Sequence, residues 1–338
     1  MKKLIFFLII IFILIGGGLL YYKSGEGALP SFINTHINTY KTNKKYIITK
    51  ADQVVGSADT LEEAMEKAKD IKRSIVINTY NNEWVYCDLE SYFIITETAI
   101  HDFSNFYDAY IYAKENGHVA IYHESNTNII WETKATLTNT KLEIPLILQM
   151  PELPRGCEVT SLAMILKYRG VNVSKMTLAA EVKKDTTNYK KDASGRIYYG
   201  NPYDGFVGDM YDMHKNGYGV YHGPIVELAK AYCKDQTIDL TGMEFEDLLL
   251  FVEKGNPVWI ITNSTYAPLE DEYFNMWHTP TGIVKTTNKL HSVVITGFKE
   301  DRIYINDPLY NQKNKVVNRE KFKLAWEQMG HQAMTIVE

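Results

Sequence analysis

The pattern of apolar and polar positions divides the chain into three regions. Residues 4–22 form an uncharged apolar run about as long as a helix that crosses a bilayer. Residues 46–132 alternate short β-branched segments with short helical ones, and the rest contains one strongly apolar helical run followed by several apolar strands. We therefore predict a terminal segment at 1–30, an accessory module at 31–140 and a larger domain at 141–338.

The apolar run near the N-terminus predicts a transmembrane helix. Lys2 and Lys3 precede it, and Tyr21, Tyr22 and Lys23 at its end resemble a membrane-interface anchor. A cleaved signal peptide is the alternative, but no small-residue cleavage site follows promptly. Because the lysines favour an N-terminus in the cytoplasm, we expect residues 1–30 to be a single-pass signal-anchor and tether in the cell membrane. The rest would be extracytoplasmic; secretion is the alternative.

The accessory module contains two similar segments, at residues 46–86 and 92–132, with a period of about 45 residues. In each, a β-branched strand is followed by a helix, which Thr60 caps in the first copy and Ser104 in the second. A hairpin with an Asn-rich turn completes each copy, so we predict two β-α-β-β repeats. Neither copy contains an arrangement that resembles a catalytic site, and we expect a spacer or a cell-wall binding surface.

The larger domain opens with a turn and a helix. Pro154 and Gly156 mark the turn, and Cys157 then starts an apolar run with helical spacing that Gly170 ends. At a helix N-terminus, free N–H groups and the helix dipole favour a thiolate, which is a nucleophile. The same N–H groups, with the side-chain amide of Gln149, could receive an oxyanion. A buried structural cysteine is the alternative.

Two apolar strands near the C-terminus bring a histidine beside an acid. His291 begins the first strand, a turn follows at 300–301, and Asp307 ends the second strand. In an antiparallel pair joined by a tight turn, these two positions are neighbours. An aspartate beside a histidine fixes the imidazole tautomer and stabilises its cation, as a thiol nucleophile requires of its acid–base partner. A hydrogen bond with no nucleophile nearby is the alternative.

Composition and charge narrow the choice of function. The net charge of -5 gives no reason to expect nucleic-acid binding. The cysteine and histidine spacings do not favour a disulfide framework or a metal site, and we expect no cofactor. The competing histidines of the larger domain are His214, His222, His278 and His331. We prefer His291 because spacing places an acid beside it, and His278, in an aromatic segment, is the strongest rival.

The order of these residues resembles that of papain-like cysteine peptidases. More closely, it resembles the bacterial branch related to bacteriocin-processing (double-glycine leader) peptidases, including membrane-anchored or secreted members from Gram-positive bacteria. The matching motifs are the upstream Gln149, Gly-Cys followed by Ser-Leu-Ala-Met, His followed by Ser-Val-Val-Ile-Thr-Gly, Gly-Phe-Val-Gly-Asp-Met, and Asn-Asp-Pro. The resemblance implies an α+β domain in which the cysteine helix packs on an antiparallel sheet. It also implies Cys157 as nucleophile, His291 as base and acid, Asp307 as orienting residue and Gln149 as oxyanion donor.

One departure limits what the resemblance implies. Leader peptidases have Asp-Cys-Gly at the cysteine and are fused to a transporter, whereas this chain has Gly-Cys-Glu and no ATP-binding P-loop. Double-glycine specificity is therefore not carried over. We expect a thiol hydrolase that cleaves amide bonds in peptide or cell-wall peptide substrates through an acyl-enzyme. A transferase uses the same mechanism with an amine in place of water, and a non-catalytic surface binding protein is the alternative. The sequence makes no prediction about the oligomeric state.

Overall fold

The structure is a computed structural model that describes residues 43–117, 120–133 and 137–338. The predicted transmembrane segment lies outside these residues. Among the residues described, no helix has the length and apolar character needed to cross a membrane. Two compact units are present: the first runs to Asp88 and includes Ser125–Thr127, and the second holds the rest. These units divide the chain at different residues from the predicted domains, whose limits at 30 and 140 remain predictions.

The first unit contains one copy of the repeat. Its elements are β1 (Tyr46–Lys50), β2 (Gln53–Ala58), α1 (Leu61–Ala68), β3 (Ser74–Asn78) and β4 (Trp84–Cys87). The sheet is antiparallel in the order β2-β1-β3-β4. The predicted cap Thr60 accepts a hydrogen bond from the Glu63 N–H, which fixes the start of α1. Ala64 and Ala68 of this helix pack on the sheet, so a small apolar core lies on one face.

The second copy has the same topology. Its elements are β5 (Tyr92–Ile95), β6 (Ile100–Phe103), α2 (Phe106–Asn116), β7 (Ala120–His123) and β8 (Ser125–Glu132), in the sheet order β6-β5-β7-β8. Each repeat is therefore β-β-α-β-β, and the predicted β-α-β-β unit was wrong by one strand. The omitted strands, β2 and β6, lie at sheet edges with mostly half-buried or exposed side chains, so no apolar period marks them. The cap of α2 is Asn105, one residue after the predicted Ser104.

The rest of the second unit is a layered α+β arrangement. Its helices are α3 (Cys157–Tyr168), α4 (Lys175–Glu181), α5 (His222–Cys233), α6 (Phe245–Glu253) and α7 (Arg319–Gln328). Its strands are β9 (Thr140–Lys141), β10 (Lys184–Asp185), β11 (Lys190–Lys191), β12 (Ile197–Tyr198), β13 (Phe206–Val207), β14 (Thr237–Asp239), β15 (Val258–Asn263), β16 (Phe274–Thr279), β17 (Gly282–Thr287), β18 (Leu290–Lys299), β19 (Arg302–Asn306), β20 (Lys315–Asn318) and β21 (Ala333–Ile336).

A seven-stranded sheet separates two cores. Its order is β14-β21-β15-β18-β19-β20, with β9 beside β18, and its neighbours are antiparallel. On the central strand β15, Trp259 and Ile261 pack with α3, whereas Val258 and Ile260 pack with α6. Alternate side chains of a strand point to opposite faces, so the continuous apolar run correctly predicts a strand buried on both sides. The cysteine helix α3 packs on this antiparallel sheet, as the sequence predicts.

The second repeat shares its core with the helical layer of its own unit. The Phe106 ring of α2 meets Phe251 of α6 edge-on at 5.5 Å between centroids. Tyr110 donates a 2.7 Å hydrogen bond to Asp247, and the Lys114 ammonium lies 2.9 Å from the same carboxylate. Apolar burial carries most of the stabilisation here, because ion pairs at the surface contribute little.

The shared core predicts that α2 stabilises the whole second unit. Phe106 is 2% exposed, and we expect Phe106→Ala to lower the free energy of unfolding by about 3 kcal/mol, because truncation leaves a cavity against Phe251. Urea denaturation followed by tryptophan fluorescence measures this change. The matched control is Tyr107→Ala on the same helix, at 39% exposure, with an expected cost below about 1 kcal/mol. Equal costs for the two variants would contradict a shared core.

Candidate active site

The start of α3 is shaped by a glycine. Gly156 is the N-cap, and its N–H donates to the Leu153 carbonyl at 3.0 Å. A Cβ at Gly156 would lie 2.6 Å from Leu153 Cβ, which is too close for any other residue without movement. Gly156 has no side chain to cap the helix, and no side-chain cap hydrogen bond is formed. The helix therefore presents the Cys157 N–H without a capping side chain from Gly156, whereas the Glu158 N–H bonds to its own carboxyl group.

Cys157 is the first residue of α3 and lies where this helix packs on the central sheet. It is 8% exposed, and the helix is tied to β18 by a 3.1 Å hydrogen bond from Ser161 Oγ to the Ser292 carbonyl. Burial raises the pKa of the Cys157 thiol well above its usual value, and the adjacent Glu158 carboxyl raises it further. A backbone hydrogen bond from Ser292 opposes these effects without outweighing them. The predicted lowering of the thiol pKa is therefore wrong, because burial and the neighbouring carboxyl group raise the pKa.

Glu158 is a buried acid that the sequence analysis did not single out. Its side chain is enclosed, with Oε2 3.3 Å from Cys157 Sγ and Oε1 accepting a 3.0 Å hydrogen bond from the Val220 N–H. A Cβ on Gly219 would lie 2.3 Å from Oε1, so a glycine there leaves room for the carboxylate. Burial raises the pKa of Glu158 to about 7. The only sequence signal was an acid directly after the cysteine, and acids are common in the first turn of any helix.

His291 and Asp307 are neighbours, as predicted. His291 Nε2 lies 2.8 Å from Asp307 Oδ1, and both side chains are buried. The strands β18 and β19 join at the predicted turn, and Val294 lies opposite Asn306 after a bulge between Ile295 and Gly297. The bulge shifts the register by one residue, so the histidine reaches the aspartate diagonally.

Several donors converge on the Asp307 carboxylate. Oδ1 also accepts from the Leu309 N–H at 2.9 Å, while Oδ2 accepts from the Tyr266 hydroxyl and lies 3.4 Å from Lys315 Nζ. Burial by itself would raise the pKa of Asp307, but the hydrogen bond and charge of His291, with the Tyr266 and Leu309 donors, lower it to about 2. The ionised carboxylate accepts a hydrogen bond from His291 Nε2–H, so Nδ1 is the acceptor nitrogen when the ring is neutral.

One cleft contains Cys157, His291 and Gln149. Its volume is about 320 Å³, and its wall also includes Arg155, Met213 and Leu309. Gln149 Nε2 donates to the carbonyls of Leu153 at 3.1 Å and Pro154 at 2.9 Å. Both amide hydrogens are thus used by the turn before Cys157. Gln149 lies at the predicted place, but donation to an oxyanion requires one of these bonds to break.

The long segment between α4 and α5 supplies one side of the cleft. Arg155 donates hydrogen bonds to four of its carbonyls, at 2.8 to 3.2 Å; these belong to Asp209, Asp212, Met213 and Lys215. Because Arg155 is two residues from Cys157, the start of α3 and this wall are joined directly. The tyrosine-rich segment lines the cleft through Met213, Gly217 and Tyr218.

The rival histidines lie elsewhere. His278 stacks on Tyr198, with ring centroids 5.1 Å apart, and does not line the cleft. His222 has an acidic neighbour, Asp239, at 3.6 Å, but it too is outside the cleft wall. Of the histidines that the sequence analysis compared, His291 is the one that faces the cysteine cleft.

Comparisons with known proteins agree with this fold. Residues 141–334 match the Peptidase_C39 like family. The uncharacterized protein YvpB of Bacillus subtilis (strain 168) is 42% identical over 217 residues, which cover 63% of this chain and 83% of the relative. A crystal structure of a Bacillus anthracis protein assigned to the C39-like peptidases is 47% identical, with a TM-score of 0.56; the match covers 60% of this chain and 98% of that one.

A double-glycine motif protease from an AMS/PCAT transporter, solved in complex with the leader peptide, is 18% identical over 59% of this chain and 94% of its own, with a TM-score of 0.29. A similarity this low supports no statement about the substrate of the present chain.

The fold and the cysteine cleft define a protein of the cysteine-peptidase kind. The chain belongs to the Peptidase_C39 like family.

The buried Asp307 carboxylate predicts a pH-dependent stability. Its pKa of about 2 in the folded state lies below the ordinary 3.8, so it stabilises the fold fully above about pH 5, and this contribution is lost as the pH falls towards 2. We expect Asp307→Asn to be less stable than wild type near pH 6 by about 2 kcal/mol. The gap should narrow between about pH 5 and pH 3.

Thermal and urea unfolding across this pH range measure the effect. Asp271→Asn is the control, because the Asp271 side chain is 96% exposed and the same substitution there should leave stability nearly unchanged. A gap between Asp307→Asn and wild type that stays constant with pH would contradict an ionised, stabilising carboxylate.

Proposed function

We propose that the protein is a thiol hydrolase, a cysteine peptidase that cleaves amide bonds of peptides through an acyl-enzyme. One observation carries the proposal: Cys157 and His291 line the same cleft, and Asp307 holds the far nitrogen of the histidine at 2.8 Å. Family membership and the buried helix N-terminus beneath the cysteine support it.

The acid–base chemistry follows from the protonation states. Because burial and the Glu158 carboxylate favour the thiol, His291 takes the Cys157 proton on Nδ1 as the sulfur attacks the substrate carbonyl. Asp307, which stays ionised, stabilises the imidazolium and fixes its orientation. The imidazolium then protonates the leaving amine, and water attacks the thioester with His291 again acting as the base.

The oxyanion of the tetrahedral intermediate needs preorganised donors. The uncapped Cys157 N–H at the start of α3 is suitable, since it belongs to the same residue as the nucleophile. In our proposal Gln149 contributes a second donor by exchanging one of its bonds to the Leu153 or Pro154 carbonyl for the oxyanion. The exchange leaves one bond in place to hold the turn.

The cellular location of the enzyme and its substrate class are also part of the proposal. The lysines before the apolar run at 4–22 favour a membrane-tethered protein whose hydrolase domain is extracytoplasmic. A peptide of the cell wall is the substrate class that suits such a location. Transfer to an amine uses the same acyl-enzyme, and the fate of that intermediate depends on which nucleophile enters the cleft.

Alkylation by iodoacetamide tests the pair formed by Cys157 and His291. We expect His291→Ala to slow Cys157 alkylation near pH 7 at least about tenfold, because the base that takes the thiol proton is lost. Peptide-resolved mass spectrometry separates Cys157 from Cys87 and Cys233. The control is His222→Ala, which removes a histidine beside an acid outside the cleft. If neither substitution changes the rate of Cys157 alkylation, the result would favour a non-catalytic binding protein.

Turnover of a peptide library tests the role of Gln149. If it donates to the oxyanion, we expect Gln149→Ala to lower kcat by about 10² to 10³ while KM changes little. The control Gln312→Ala removes an exposed amide after the Asp307 turn. A variant whose thermal stability falls while kcat is preserved would show that Gln149 only supports the turn. Cys157→Ala should abolish turnover in every case.

A further inference from the structure

The contact between Glu158 and the nucleophile points to a second acid–base partner. We propose that Glu158 controls the charge of Cys157 by exchanging one proton with it: as a carboxylic acid it donates to the thiolate, and as a carboxylate it accepts from the thiol. This inference rests on the proposed thiol chemistry of Cys157. It adds a residue that touches the reacting sulfur from the side of α3.

The geometry assigns a different task to each oxygen of the carboxyl group. Oε1 accepts the Val220 N–H at 3.0 Å, so a proton on the carboxyl is placed on the other oxygen. Oε2 is that oxygen, and it lies 3.3 Å from Cys157 Sγ. The exchange S–H···⁻O to S⁻···H–O moves one proton between these two atoms, with no other bond made or broken. Total charge is conserved.

The surroundings keep the carboxyl group in place. Glu158 is 1% exposed, and in the described part of the chain it forms no ion pair with a lysine or arginine. Its backbone carbonyl accepts a 3.0 Å hydrogen bond from Trp259 Nε1, which ties the first turn of α3 to the central strand. A buried carboxyl group without a cation resists ionisation, and its pKa of about 7 agrees with this.

Three other titratable groups around the pair keep the same protonation state near neutral pH. Tyr218 and Tyr221 interact with the Glu158 charge, and burial raises the pKa of both phenols, so they stay neutral. Asp307 remains ionised and acts on Cys157 from the sheet side. The remaining partner is His291, so its contribution has to be separated from that of Glu158 by experiment.

The consequence is a nucleophile whose reactivity rises less with pH than that of an ordinary thiol. Below about pH 7, a neutral Glu158 stabilises the thiolate. Above it, the carboxylate opposes a second negative charge 3.3 Å away, so further deprotonation of Cys157 is suppressed. Replacing the carboxylate by an amide keeps the shape and both hydrogen-bond partners but removes this charge.

The test is Glu158→Gln in the full chain, with Cys157 alkylation by iodoacetamide followed from about pH 5.5 to pH 9. We expect the ratio of variant to wild-type rates to be near one at the acid end and to reach about tenfold or more at the alkaline end, since one pKa unit is a factor of ten. A purely structural role would change the rate by the same factor at every pH. Glu152→Gln is the matched control, because this half-exposed glutamate pairs with Lys175 and not with Cys157.

Two additional measurements keep the outcome clear. The same comparison in a His291→Ala background isolates Glu158: a ratio that still rises with pH supports the inference even if the proposed catalytic pair fails. A ratio that is independent of pH overturns it, even if His291 behaves as proposed. In the wild-type chain, infrared difference spectra between about pH 6 and pH 8 should show the loss of one protonated carboxyl band. Its absence would also overturn the inference, whether or not the variant folds.

Discussion

Desolvation where α3 meets β18 is the constraint on which the site depends. Two buried carboxyl groups act on the thiol of Cys157: Glu158 contacts the sulfur, and Asp307 acts on it through its charge. A buried charge is stable only when donors satisfy it, and the two groups differ in how many they have. Asp307 accepts hydrogen bonds from His291, Tyr266 and Leu309, and a lysine lies nearby, so it stays ionised. Glu158 has the backbone N–H groups of Val220 and of Glu158 itself, and the thiol, so its ionisation is less well supported. Near neutral pH, Asp307 is therefore ionised, whereas Glu158 still changes between the acid and the carboxylate.

The sequence predicted the parts of the site that depend on local spacing. The helix that begins at Cys157, the hairpin turn and the neighbouring positions of His291 and Asp307 are all determined within short segments. The thiol pKa was predicted in the wrong direction, because burial depends on the sheet and on elements more than 100 residues away. Glu158 was missed for the same reason: its partner Val220 and the space beside Gly219 come from a distant segment.

The repeats show the same division between local and long-range information. The helix caps and strand periods identified two copies, but the edge strands β2 and β6 have too few buried positions to produce a period. The packing of α2 on α6 also has no local signature, since Phe106 and Phe251 are 145 residues apart. A sequence repeat identifies copies of a unit, and it gives no information about which neighbour completes the core of each copy.

Arg155 has a consequence for how the cleft can vary. Its guanidinium binds four backbone carbonyls of one loop while its own backbone leads directly into Cys157. A change in the length of that loop would displace the nucleophile along with the wall. Backbone carbonyls are the same for every residue type, however, so an exposed side chain such as Met213 can change without disturbing the arginine. Gly217 is an exception, because a Cβ there would lie 3.0 Å from the Arg155 guanidinium. Substrate preference at this wall can therefore change through replacement of side chains such as Met213, while the path of the backbone stays fixed.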